Sequence, residues 1–142
     1  MKNLKATPYI LSAFLAISLT SCEKEKSLDE TILGKWEVTT MTQITYENNV
    51  KKSEVIVYLE AGEMAYQFVD SGSGIYSEGE DEALFSWSIA GSVLTISNLF
   101  EGGALVVDVT LEGDRLSWFN TKPDAQNANI TYDYIMTAKR IS

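Results

Sequence analysis

The sequence has no histidine and a single cysteine, Cys22. Without histidine there is no Ser-His-Asp triad, no thiol–histidine pair and no His-ligated zinc. One cysteine cannot close an internal disulfide, so the fold must be held by packing, and the lone thiol points to another use. Basic residues are also scarce, 11 Lys+Arg against 20 Asp+Glu. A basic patch is the footprint of nucleic-acid binding, so no nucleic-acid partner is expected. No phosphate-cradling loop is present: Asp70-Ser71-Gly72-Ser73-Gly74 lacks the lysine and the following helix. These absences leave no recognisable catalytic constellation, and the expectation is a protein that is not an enzyme.

The N-terminus has three parts. Lys2 and Lys5 make it positive, Tyr9 to Leu19 is uncharged and mostly apolar, and Leu19-Thr20-Ser21-Cys22 follows. Such an apolar run is too short to cross a bilayer, which takes about 20 residues. A charged start, a short apolar stretch and small residues at its end read as a cleaved signal. Leu19 to Cys22 resembles the bacterial lipobox, and that resemblance implies cleavage before Cys22 and a lipid on its sulfur. The expected organisation is a signal peptide at 1–21, a lipid anchor and flexible tether at 22–32, and one domain at 33–142. Residues 1–21 hold two of the lysines and none of the acids. The remainder therefore carries nine basic against twenty acidic residues, a net of −11. That charge repels anionic head groups, so the lipid on Cys22, not the protein surface, is the expected membrane contact. Cys22-Glu23-Lys24-Glu25-Lys26 partly resembles the export signal of surface lipoproteins in Gram-negative bacteria. The expected location is thus the outer membrane, on its periplasmic face or at the cell surface.

Beyond one helical turn within 27–33, alternation dominates. Leu105, Val107, Val109 and Leu111 alternate with Val106, Asp108, Thr110 and Glu112, as in strands with one buried and one wet face. Candidate strands are Gly34–Tyr46, Ser53–Glu60, Glu63–Asp70, Ala83–Ala90, Ser92–Asn98, Gly103–Glu112, Arg115–Asn120 and Ile130–Arg140. Glu47-Asn48-Asn49, Ala61-Gly62, Ala90-Gly91-Ser92 and Glu112-Gly113-Asp114 are turn signals between neighbours. The reading is all-β: an eight-stranded up-and-down antiparallel β-barrel, whose closure removes exposed edges. Two longer connections remain, the glycine-rich and acidic 71–82 and the amide-rich 121–129.

Gly34-Lys35-Trp36 at the head of the first strand resembles the Gly-X-Trp signature of lipocalins and lipocalin-like domains. The resemblance implies that Trp36 closes the barrel floor with a basic residue of the last strand across its ring. Arg140 has the right parity, sharing a face with Tyr132, Tyr134, Met136 and Ala138, and the contact would be a cation–π pair. The lipocalins' second signature, before strand seven, is not matched by Leu111-Glu112-Gly113-Asp114. This fits divergent lipocalin-like domains of bacterial lipoproteins better than lipocalins proper.

Candidate chemistry is thin. Glu78, Glu80, Asp81 and Glu82 cluster in one loop but lack the spacing of a calcium loop, and a solvated acidic turn is the plainer reading. No cofactor or metal is expected. Aromatics on strands are the informative residues: Tyr46, Phe68, Phe85, Trp87, Trp118, Tyr132 and Tyr134. Each reads either as core or as the lining of a pocket. Simple alternation from Trp36 puts Val38, Thr40, Thr42, Ile44 and Tyr46 on one inward face. Thr42, Tyr46, Phe85, Trp87 and Tyr132 are then the candidate ligand-binding set, at the end opposite the floor residues Gly34, Trp36 and Arg140. The absence of charge among them suits a small apolar or amphipathic ligand. The competing reading is a filled barrel whose loops contact a protein partner at the cell envelope.

Overall fold

The structure, a computed structural model of the chain, describes residues 26–142. The signal, the lipobox and Cys22 lie outside the described residues. Among those described, one short helix, α1 (Leu28–Thr31), precedes nine strands. These are β1 (Gly34–Glu47), β2 (Val50–Tyr58), β3 (Met64–Val69), β4 (Ser73–Glu78), β5 (Asp81–Ala90), β6 (Val93–Ser97), β7 (Leu105–Glu112), β8 (Arg115–Pro123) and β9 (Ile130–Arg140). All pairings are antiparallel, and β9 pairs back onto β1 to close the sheet.

The fold is the closed eight-stranded barrel that alternation implies, but its eight strands are β1 and β3 to β9. The segment 71–82, read from sequence as a connection, contains β4. Glycine and serine are poor strand formers, which hides β4 from a propensity argument. The structure supplies the reason for the glycine: the ring of Phe85 fills the space that a side-chain carbon at Gly74 would need. The strand expected second in the wall, β2, lies outside the closed ring and among the described residues pairs only with β1.

Thr39 explains this division. Val38 stands opposite Ala138 while Thr40 stands opposite Thr137, so Thr39 is an extra residue, a β-bulge. Its hydroxyl donates to the Thr137 carbonyl at 3.1 Å, and Thr40 also hydrogen-bonds the Thr137 hydroxyl. A bulge bends its strand and raises the local twist. Before it, Gly34 to Glu37 pair with β3; after it, Thr40 to Glu47 pair with β2. The upper half of β1 thus leaves the barrel wall and takes β9 with it. With β2 and the end of β8 it forms a four-stranded arm.

The core fills the barrel proper. Trp36, Val38, Phe68, Leu94, Ile96 and Leu116 are essentially inaccessible, and Phe85, Val107, Val109, Met136 and Ala138 are buried around them. Edge-to-face contacts join Phe68 to Phe85 (5.5 Å between centroids), Phe68 to Trp87 (5.5 Å) and Tyr66 to Trp118 (4.8 Å). Ile32, just past α1, is part of this core. The folded body therefore begins inside the stretch that composition alone reads as tether.

Candidate functional site

The floor is built from both ends of the described chain. Trp36 is wholly buried, and its indole N–H donates to the Ile32 carbonyl at 2.7 Å. The Arg140 guanidinium carbon lies 4.3 Å from the centre of the Trp36 ring. The same guanidinium donates through Nη1 to the Leu33 carbonyl and through Nη2 to the Thr31 carbonyl, both at 2.6 Å. A helix end leaves carbonyls without partners. Here three successive ones are taken by Trp36 and Arg140, which ties α1 beneath the barrel. Gly34 is required at this junction. Its φ is +122°, and a side-chain carbon there would come within 2.5 Å of the Ser142 carbonyl oxygen. Gly34 and Trp36 here form a steric and hydrogen-bonding device.

At the opposite end, the bulge at Thr39 resets which residues face inward. Past it, Met41 stands opposite Met136, Gln43 opposite Tyr134 and Thr45 opposite Tyr132. Across the other edge of β1, Met41 pairs with Val57 and Gln43 with Val55. Cross-strand pairs share a face. The inner face of the arm is therefore Val55 and Val57 from β2, Met41 and Gln43 from β1, Tyr134 and Met136 from β9, and Trp118 from β8. These residues, bordered by Thr42 and Ile135, line a groove of about 350 Å³. No side chain in its lining is charged. Its base is continuous with the core through Trp118 and Met136, and its β2 side is exposed.

A larger cleft, about 630 Å³, lies under the floor between α1, Leu111, Gly113 and Arg140. It is the weaker candidate. Its walls include Lys26 and Glu30, and the Arg140 donors facing it already serve backbone carbonyls. Among the described residues no cluster of three acids converges as a metal site. Glu78 and Asp81 are simply opposed at the β4–β5 turn.

The five candidate ligand residues do not come together. Thr42 and Tyr46 pair with Ile135 and Thr131 on the outer face, because the bulge reverses the parity that simple alternation assumes. Thr42 still borders the groove. Phe85 is at the floor end, opposite Gly74 and level with Phe68, because β4 rises before β5 descends. Trp87 lies there too, its indole N–H donating to the Ser73 carbonyl at 2.7 Å. Tyr132 is on the inner face near the arm's tip, but its hydroxyl is engaged by Asp124 at 2.7 Å. The groove residues that sequence reasoning did not gather divide in two. Trp118 and Tyr134 stand out as strand aromatics. Met41, Gln43, Val55 and Val57 become a set only once the bulge and the β1–β2 register are known.

Two tyrosines between barrel and arm have altered acidity. Tyr66 is held well above the ordinary phenol value by burial, with neighbouring Tyr76 and Glu78 adding to it. Burial, with a hydrogen bond from its hydroxyl to Glu78 (3.1 Å), pushes Tyr76 up to about 12. Both are neutral phenols at ordinary pH.

A closed antiparallel barrel with a Gly-X-Trp floor locked by an arginine of the last strand defines the lipocalin-like class. A family model described as a lipocalin-like domain matches residues 32–118, and the chain belongs to that family. No curated protein and no solved structure matches the chain at a significant level.

Proposed function

We propose that this protein is a lipid-anchored binding module of the bacterial outer membrane. In this reading Cys22 carries the lipid, on the periplasmic face or at the cell surface, and the arm's inner groove holds a small apolar or amphipathic ligand. The observation that carries the ligand reading is the groove itself: about 350 Å³, concave, uncharged, and floored by Trp118 and Met136. Pockets that bind small molecules are mostly apolar with a few orienting polar groups. Gln43 and the Tyr134 hydroxyl are those groups here. The barrel below is packed with side chains, so the ligand sits at the mouth and not in the interior. The role is binding, with no catalytic step.

The test is native mass spectrometry of the purified full chain, followed by titration with fatty acids and isoprenoids while tryptophan emission is read. Trp118 is the reporter. A bound apolar ligand should quench or shift it, and Trp118→Phe should abolish the change while Tyr134→Ala weakens binding. No co-purifying molecule, no emission change and no thermal shift across the series would sink the ligand reading.

The anchoring part rests on Leu19 to Cys22 and has its own test. Cys22→Ser should stop incorporation of labelled palmitate and release the protein from membranes. Labelling and sedimentation equal to wild type would overturn it.

One observation favours a second reading, a structural or interaction lipoprotein with an envelope protein partner. All of β2 is exposed, more apolar surface than a ligand groove needs.

A further inference from the structure

Among the described residues β2 has one neighbour, β1, and its outer edge is unpaired. The direction of its free hydrogen-bonding groups follows from the register. The Leu59 amide donates to the Thr39 carbonyl at 3.0 Å, and Val57, Val55 and Ser53 stand opposite Met41, Gln43 and Thr45. In an antiparallel ladder these groups alternate in direction. The amides and carbonyls of Glu54, Ile56 and Tyr58 therefore point away from β1. Solvent-facing edges are normally blunted by charge, proline or a bulge. The first half of β2 is guarded in this way, by Lys51, Lys52 and Glu54 and by a bulge at Lys52, but Val55-Ile56-Val57-Tyr58 has none of the three; Val57 and Tyr58 are 53% and 75% exposed.

We propose that this edge pairs antiparallel with the same edge of a second copy, with Ile56 on the two-fold axis. A two-fold perpendicular to the sheet must set one residue opposite its own copy, since otherwise the faces would not match. Three centres are available within the uncharged stretch flanking Ile56. Centring on Val57 brings Glu54 beside Glu60, just past the end of the second copy's strand, twice, and like charges facing across strands destabilise. Centring on Val55 sets Ser53 opposite Val57 and leaves no charge pair. Centring on Ile56 sets Val55 opposite Val57 twice, and brings the basic end of the edge, Lys51 and the bulged Lys52, beside Glu60 just past the end of the second copy's strand. Only this register is complementary in both charge and apolar contact. The contact is isologous and uses each copy's edge once, so it closes at two copies.

The pairing also bears on the groove, and in this step alone it rests on the ligand reading. Val55 and Val57 form the groove's exposed wall, and the two-fold keeps both inner faces on the same side. The two grooves then meet across the four valines as one apolar trough, suited to an extended chain longer than one groove holds.

The test uses the full chain in detergent with Cys22→Ser, which leaves no thiol, and no added ligand. Opposed residues of a hydrogen-bonded antiparallel pair are about 5.5 Å apart at Cα, within disulfide span. Ile56→Cys should therefore give a covalent dimer on mild oxidation, and Leu84→Cys, exposed on β5, should not. By sedimentation, Lys52→Glu or Glu60→Lys should each raise the dimer dissociation constant about tenfold, and the double reversal should restore it. Amides of Glu54, Ile56 and Tyr58 should gain exchange protection as concentration rises. A monomer at all concentrations with those amides unprotected overturns the proposal. So does protection independent of concentration, which would put another segment of this chain on the edge, and so do open-ended polymers. Because the assay contains no ligand, dimerisation can stand or fall separately from the groove.

Discussion

The barrel and the arm are made from the same strands and obey different rules. Below Thr39, β1 carries Trp36 and Val38, both buried, and above it Met41 and Gln43, both exposed. Below, every strand has two neighbours and the interior is filled. Above, β2 has one neighbour among the described residues, and the inner face is a groove. One inserted residue separates them, since the bulge both bends β1 and changes its partner from β3 to β2. The lesson is that a packed core and an open groove occupy different lengths of a single strand. The floor is packed around Trp36 and Val38, while the arm leaves Val55 and Val57 exposed.

Breaking the comparison from its stable side should have the largest effect. Trp36→Ala removes a wholly buried ring and leaves the Ile32 carbonyl unpartnered, and large-to-small changes of this kind cost about 3–5 kcal/mol. Val55→Ser in the arm should cost under about 1 kcal/mol, since the side chain is already exposed. Chemical denaturation of both variants checks the contrast. Equal losses would mean that barrel and arm share one cooperative core.

A smaller loss is expected at the clasp. Arg140→Met keeps a long apolar side chain over Trp36 but leaves the Thr31 and Leu33 carbonyls without their donor. Hydrogen bonds to a charged group contribute about 1.5–3 kcal/mol each. Partial exposure of the arginine and replacement by water should bring the net loss to about 2 kcal/mol. The signature is local as well as global: α1 should lose exchange protection well before β5 to β8. If α1 stays protected in the variant, Trp36 alone holds it.

Much of the barrel was legible in the sequence. Strict alternation in β7 and the turn signals around it mark a half-buried strand without ambiguity, and the resemblance of Gly34-Lys35-Trp36 to the Gly-X-Trp signature, with the parity of Arg140, marks the floor. What failed did so for local reasons. Gly74 looks like a loop residue because its role is to make room for Phe85, a contact eleven positions away in the chain. Thr39 looks like any other threonine in a β-branched run, yet its insertion inverts the faces of Thr42 and Tyr46. A period-two argument carries no memory of a skipped residue, so one bulge displaces every assignment beyond it. The groove was therefore half visible: Trp118 and Tyr134 by their rings, and Val55 and Val57 not at all.

The smallest effect is expected at the arm's tip and should depend on pH. The Tyr132 hydroxyl donates to Asp124 Oδ1 at 2.7 Å, and the amides of Gln126 and Asn127 donate to Oδ2 at 3.0 and 2.9 Å. The Tyr132 hydrogen bond, with these amides, holds the Asp124 carboxyl below its usual value of 3.8. The same hydrogen bond, with slight burial and the nearby negative charge, raises Tyr132 above 10.0. For Asp124 the folded value is the lower one, so its contribution is complete above 3.8 and is lost as pH falls through the folded value. For Tyr132 the folded value is the higher one, so its contribution is complete below 10 and is lost as pH rises through the folded value. The 124–129 loop should therefore stay ordered across the neutral range and loosen at both extremes. Amide exchange at Gln126 and Asn127 against pH would show it, and Tyr132→Phe should move the acid limb upward, toward the ordinary carboxylate range. Both groups are only half-buried, at the arm's tip, so the global melting temperature should hardly move. If Tyr132→Phe instead lowers it as far as Arg140→Met does, the arm is a structural member of the barrel, and the division at Thr39 is wrong.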